Sequence, residues 1–299
     1  MKKLNIIVFI VILFFLNGCE DTSNNYSPTY QKNKVLDKKI YILGVHPLHN
    51  PKHLFEVYQP LVDYLNENLK DITIQLEASR NYDSFNEKLS LRHFAFALPN
   101  PYQTLKSLDY GYKIFGKMAD DEKFKGIIIV RKDSNIIDFK DLKDKKISYP
   151  ASTALAATML PQYFLYENGI DINKDLKNIY VGSQESAIMS VYLKATDLGA
   201  TWTQPWEIFK KDRPNIANEL KVLWETKSLP NNGLVARNDV PEELINRIGN
   251  LLFNMHLDSK GMLILKKINL THFEKANSET YDEVKDFINK FEKDIRVIK

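Results

Sequence analysis

Lys39–Val45 reads KIYILGV, Asp71–Ala78 reads DITIQLEA and His93–Ala97 reads HFAFA, with Lys52–Leu69 and Tyr82–Leu91 between them. The three short runs are rich in β-branched and aromatic residues, and the second alternates with period two, so each predicts a strand. In Lys52–Leu69 the apolar residues fall at Leu54, Val57, Leu61, Leu65 and Leu69, which is helical spacing. Tyr82–Leu91 predicts a shorter helix. This β-α-β-α-β rhythm calls for a mostly parallel sheet with helices on its faces, an α/β fold.

Further along, Gly126–Arg131 (GIIIVR) predicts a buried strand and Lys146–Tyr149 another, with a turn or short helix at Asp138–Leu142 between them. Ser152–Asn168 predicts a helix closed by Gly169 and kinked at Pro161. Strands at Asn178–Gly182 and Leu198–Trp202 flank a helix at Ser183–Leu193. Val222–Trp224 and Gly233–Ala236 are short strands, and Pro241–Met255, Ser259–Ile268 and Thr280–Ile295 are helices. Two β/α sets imply two lobes, expected at residues 38–131 with 225–299 and at residues 132–224. Ligands in such folds sit beyond the strand C-terminal ends, so an interlobe cleft is the expected site.

The first nineteen residues read as an address. Lys2 and Lys3 precede an apolar run from Leu4 to Leu16, followed by Asn17, Gly18 and Cys19. A basic start, a short apolar stretch and small residues before a cut are the parts of an export signal. The apolar run spans only ~20 Å as a helix, short of a ~30 Å hydrocarbon core. Residues 20–37 are mostly polar and predict a flexible tether.

With 41 basic and 38 acidic residues the formal charge is +3, and no basic block marks a nucleic-acid partner. Cys19 is the sole cysteine, so no intrachain disulfide or multi-cysteine metal site is available. No nucleophile elbow, phosphate-binding loop, dinucleotide fingerprint or zinc helix motif occurs, so an enzyme is not expected. His46, His49 and His53 lie close together, but Pro51 interrupts them and a surface or capping role outweighs a metal role. No metal and no cofactor are expected.

The chemistry concentrates where strands are followed by helix starts. Pro150-Ala151-Ser152-Thr153-Ala154 opens a helix, where unpaired N–H groups and the peptide dipoles favour an anion. Gly182-Ser183-Gln184-Glu185-Ser186 does the same after another strand. The first, with its two hydroxyls, is an oxyanion cradle or an ordinary cap; two such starts in one lobe point to the cradle more than either alone. Tyr102, after Leu98-Pro99-Asn100-Pro101, has a hydroxyl to offer, and His46 ends the first strand. Trp202 and Trp206 are candidates to cover an organic substituent or to pack the core.

Several of these stretches carry a family resemblance. Gly44-Val45-His46-Pro47, Tyr58-Gln59-Pro60-Leu61, Ala95–Tyr102, Asp141–Lys146 leading to Pro150-Ala151-Ser152-Thr153, Gly182–Ala187 and Thr196–Ala200 stand in an order that resembles the phosphate/phosphite/phosphonate-binding proteins of ABC transporters. These form a branch of the type II periplasmic binding proteins. Leu16-Asn17-Gly18-Cys19 resembles a bacterial lipobox, which implies lipid on Cys19 and an extracytoplasmic, membrane-anchored protein. The resemblance implies two lobes joined by a hinge of two crossing strands. It further implies an ABC permease as partner and a small oxyanion as ligand, carried by a monomer. Ser152 and Thr153 would hold the anion's oxygens, with Ala154, Ser183, Gln184, His46, Tyr102 and Trp202 around it. Gln184 stands where the family commonly has histidine, and Ala154-Leu155 where it has Ser-Gly. A sensory protein of the same fold, or a binder of a sulfonate or vitamin precursor, are the alternatives.

Overall fold

The core strand Lys125–Arg131 sets the geometry, because Ile127, Ile128, Ile129 and Val130 are buried on both of its faces. Such a strand must lie inside a sheet with layers above and below. In the computed structural model, which describes residues 38–298, it does. The export signal, Cys19 and the tether expected at residues 20–37 lie outside the described residues.

The chain first lays down β1 (Lys39–Val45), α1 (Pro51–Asn68), β2 (Ile72–Ala78), α2 (Tyr82–Ser90), β3 (Phe96–Leu98), α3 (Pro101–Asp109) and β4 (Tyr112–Met118). It crosses at residues 119–124 and builds β5 (Lys125–Arg131) and β6 (Lys145–Tyr149). A π-helical turn (Leu155–Met159) then runs straight into α4 (Leu160–Glu167). There follow β7 (Leu176–Tyr180), α5 (Gln184–Tyr192), β8 (Leu198–Trp202), α6 (Thr203–Asp212), α7 (Pro214–Ala217) and β9 (Leu220–Ser228). It returns at residues 229–232 to add β10 (Gly233–Arg237), α8 (Glu242–Asn254), α9 (Ser259–Ile268), β11 (Phe273–Glu274) and α10 (Asp282–Asp294).

One sheet has the order β11-β4-β10-β3-β1-β2 and the other β7-β6-β8-β5-β9. Within each, three strands are parallel: β2, β1 and β3 in the first, β7, β6 and β8 in the second. The strand that enters after each crossing, β5 or β10, is inserted antiparallel beside that trio. The expected mostly parallel sheets are therefore parallel only in these trios.

The boundary between lobes also differs from the sequence reading. β5 and the whole of β9 belong to the second sheet, so the division falls between Met118 and Lys125 and between Ser228 and Gly233. The two crossings are held to each other, as the Met118 amide donates to the Asn232 carbonyl and the Asn231 side chain donates to the Ala119 carbonyl. They are irregular segments rather than strands.

The α1 spacing reads out as expected: Leu54, Val57, Leu61 and Leu65 are all buried against the first sheet. Each such side chain contributes roughly 1.5–3 kcal/mol by leaving water. The helix expected from Ser152 begins three residues later, at Leu155. Ala154 is its N-cap, and Ser152 and Thr153 form a turn before it.

Gly126 allows that turn to approach β5. A Cβ there would lie 2.3 Å from the Ala156 carbonyl oxygen and 2.7 Å from Pro161 Cδ. Gly126→Ala is therefore expected to destabilise the protein by about 1–3 kcal/mol, the usual cost of overpacking, read as a lower denaturant midpoint. An unchanged midpoint would mean that the π-helical turn is free to shift.

Candidate functional site

The C-terminal ends of both parallel trios face each other across the lobe boundary. β1, β2 and β3 end in register at Val45, Ala78 and Leu98. The residues that follow them include His46, Tyr82 and Asn100. From the other side come Ala154 to Ala157 after β6, Gln184 after β7 and Trp202 at the end of β8. These residues, with Phe124 and Asn232 from the crossings, line a cavity of about 10 Å³. That is room for about one water-sized group.

The wall from the second lobe is a helix start without a cap. Ala154 has no side chain to offer, and the amides of Leu155, Ala156 and Ala157 have no hydrogen-bond acceptor among the described residues. Buried amides of this kind need a partner, and a helix N-terminus also carries partial positive charge. An oxyanion supplies both requirements.

Gln184 joins the lobes. Its Oε1 accepts from the Thr201 hydroxyl at 2.8 Å, and its Nε2 donates to the Tyr82 hydroxyl at 3.1 Å. Tyr82 thereby accepts through its oxygen and keeps its own proton to donate. Burial pushes its phenol well above the usual range, so that proton stays on. Asn100, which caps α3 in a reciprocal capping box with Gln103, also donates to the Thr153 carbonyl at 3.0 Å across the boundary. Phe124 and Trp202 pack ring on ring at 5.0 Å and give the cavity an apolar side.

His46 is buried and its Nδ1 lies 2.9 Å from the Leu98 carbonyl. A carbonyl can only accept, so Nδ1 carries the proton. Desolvation lowers its pKa to about 4, which leaves the ring neutral. Nearby His49 is lowered to about 3, by burial first and then by His53 and His46. A second, larger cleft of about 420 Å³ opens at the rim. There Asn50 donates to Glu185 at 2.9 Å while Arg213 pairs with the same carboxylate at 2.7 Å.

The structure thus brings together four of the expected residues: His46, Ala154, Gln184 and Trp202. Ser152, Thr153, Ser183 and Tyr102 do not line the cavity. Ser152's carbonyl accepts from Arg296 at 2.7 Å, and the Thr153 hydroxyl lies 3.5 Å from the Asn86 amide. Ser183 caps α5 by accepting from the Ser186 amide. Tyr102 is buried beside Glu292 and Arg296, and burial pushes it up to about 12. Sequence reasoning missed Tyr82, Asn100 as an interlobe donor, and Asn232. Tyr82 and Asn100 follow strand C-terminal ends, which is the signal that singles out the others. Among the described residues there is no group of three metal-ligating side chains and no helix long and apolar enough to cross a membrane.

The buried neutral histidines set an acid limit. Unfolded histidine protonates near pH 6.5, whereas His46 and His49 resist protonation until about 4 and 3 when folded. Their contribution is intact above pH 6.5 and is lost as the pH falls towards 4, on the order of 3 kcal/mol for His46 alone. The melting temperature should therefore drop steeply over that window, and His46→Gln should flatten the drop. A melting temperature constant from pH 7 to 4 would show that the ring is solvated.

Comparison with known proteins gives the same architecture. Residues 43–281 match the family described as the periplasmic substrate-binding protein of the phosphonate ABC transporter. The probable ABC transporter phosphite-binding protein PhnD1 of Prochlorococcus marinus (strain MIT 9301) is 27% identical over 186 residues, which are 58% of this chain and 63% of that protein. The chain spans less than two thirds of the length of the curated relatives it matches. A binding-protein component of an ABC phosphonate transporter from Pseudomonas aeruginosa superposes with a TM-score of 0.79 at 17% identity, over 86% of this chain and 87% of that one. PhnD1 of P. marinus (MIT 9301), solved with methylphosphonate, superposes with a TM-score of 0.77 at 21% identity over 85% and 99%. The two-lobed architecture is that of the type II periplasmic binding proteins, and the chain belongs to the phosphonate family of periplasmic substrate-binding proteins of ABC transporters.

Proposed function

We propose that the chain is the extracytoplasmic solute-binding component of an ABC importer and captures a small phosphorus oxyanion such as phosphite or methylphosphonate between its lobes. The observation that carries this reading is the row of unpaired amides at Leu155, Ala156 and Ala157, opening on a cavity that spans both lobes and has no charged side chain in its lining. An anion entering it must replace the hydrogen bonds it had in water. The three amides, the Tyr82 hydroxyl and the second N–H of Gln184 or Asn100 do this with neutral donors. Hydrogen bonds to a charged group contribute about 1.5–3 kcal/mol each. Four or five of them, after the cost of ordering, support roughly micromolar binding, near −8 kcal/mol.

Phe124 and Trp202 favour a hydrogen or methyl substituent on phosphorus, and since the cavity has room for about one water-sized group the lobes must part to admit even a small phosphonate. Ser152 and Thr153 belong to the same proposal as the loop that presents the amides: Thr153 is tied to Asn100 and Asn86, and Ser152 to Arg296. The protein works as a monomer that delivers ligand to a membrane permease, with no cofactor and no chemical step. Lipid on Cys19 holds it at the membrane.

Methylphosphonate or phosphite at 100 times its Kd is expected to stabilise the fold by about 2.7 kcal/mol, seen as a rise in melting temperature. Tyr82→Phe, which removes a hydroxyl donor from the cavity lining, should cost about tenfold in affinity by calorimetry. No thermal response to phosphate, phosphite or any small phosphonate would defeat the reading. Incorporation of labelled palmitate should depend on Cys19, and labelling that persists in Cys19→Ala would remove the anchor.

A further inference from the structure

The cavity also contains two acceptors with nothing to accept from. Asn232 is fully buried, and its Nδ2 points at the Met118 sulfur at 3.5 Å. A thioether can only accept, so this contact fixes the amide orientation and leaves Oδ1 facing no donor. His46 uses Nδ1 on the Leu98 carbonyl, which leaves Nε2 as a bare lone pair with no partner among the described residues. Both residues line the same cavity as the unpaired amides.

The unpaired backbone donors and the unpaired acceptors therefore come from different segments, with the Tyr82 and Asn100 donors on the same side as His46. The backbone donors are the amides of Leu155 to Ala157 in the second lobe. The acceptors are on β1's end and on the second crossing. A fully ionised oxyanion offers only lone pairs. It satisfies the donors but has nothing to give the two acceptors, leaving Asn232 Oδ1 buried and unpaired at a cost of about 1–3 kcal/mol. An oxyanion that keeps one hydroxyl accepts from the amides and donates to Asn232 or His46.

We propose that Asn232 and His46 are specificity-determining residues that make this site select an oxyanion still carrying a proton, a hydrogen-phosphonate or hydrogen-phosphite monoanion, over a sulfonate or sulfate of the same shape. The inference rests on reading the cavity as an oxyanion site. Phosphonates and phosphite hold or readily regain a P–OH proton near neutral pH, whereas sulfonates and sulfate have none. The neutral ring of His46 suits this role, because a protonated ring would present a donor there. No carboxylate lines the cavity to perform the same selection.

The test is calorimetric titration of the purified chain at pH 7 with methylphosphonate and with methanesulfonate, which share a methyl group, a tetrahedral centre and nearly the same size. Methylphosphonate should bind at least 100-fold tighter. Asn232→Leu keeps the shape of the side chain and removes the acceptor, so the preference should fall at least tenfold, chiefly through weaker methylphosphonate binding. His46→Phe keeps the ring packed against Tyr82 and Phe85, which it meets edge-on at 6.1 and 6.5 Å, and should lower the preference as well. Melting curves verify that each variant is folded, and the wild-type comparison stands without any variant. Methanesulfonate within tenfold of methylphosphonate in the wild type overturns the inference and leaves the binding function intact. So does a preference that survives in both folded variants. Failure of methylphosphonate, phosphite and phosphate alike to bind overturns the function itself and the inference with it.

Discussion

The structure depends on a debt of hydrogen bonds at one place. Helices that follow parallel strands start where those strands end, and their first amides have no partner inside the helix. At several starts side chains meet the need: Asn50 caps α1, Asn81 caps α2, Asn100 caps α3, Ser183 caps α5 and Asp258 caps α9. At the π-helical turn nothing does, because Ala154 occupies the capping position. Two starts at the lobe boundary lack a side-chain cap, this turn and α6 after Trp202, and both bring residues to the cavity lining.

That arrangement needs the lobes to meet. Gln184 and Asn100 both reach across the boundary, and both are held by their own element: Gln184 at the first position of α5, Asn100 as the cap of α3. Their partners are a tyrosine hydroxyl and a backbone carbonyl, so no net charge is buried. A cationic residue in place of Gln184 would attract an anion more strongly, but its desolvation would oppose closure whenever the anion is missing. Neutral dipoles let the affinity come from geometry. Glu185 with Arg213 and Asn50 places formal charge at the rim, where water screens it.

Much of this was legible before any coordinates. The β1-α1-β2-α2-β3 rhythm survives because its spacing is set by burial: Leu54, Val57, Leu61 and Leu65 all lie in the core. The elements that escaped have physical reasons. In β4 three neighbouring residues are only partly buried or exposed and Gly116 interrupts the pattern, so no alternation shows. α3 is nine residues long with Pro101 at its start, and its signature, Asn100 with Gln103, is a capping box that spacing alone does not announce. The helix expected from Ser152 begins at Leu155 because Thr158 bonds back to the Ala151 carbonyl and organises the turn from within. Asn232 is unreadable in sequence, since its role comes from a crossing that returns to the cavity's edge after more than a hundred residues.

The crossings explain why residues so far apart share one site. Met118 sits at the end of β4 and Asn232 at the entry to β10, and each holds the other: Met118's amide on the Asn232 carbonyl, Asn232's side chain on the Met118 sulfur. The side chain that faces the cavity is thus anchored to the hinge itself and cannot turn without disturbing both crossings. Phe124, on the first crossing, packs at a tilt against Trp202 at the end of β8. Any change in the angle between the sheets moves Asn232 and Phe124 relative to the amides of the second lobe. Ligand contact and lobe angle are consequently one variable, and a guest that satisfies donors and acceptors together fixes that angle where a guest that satisfies donors alone does not.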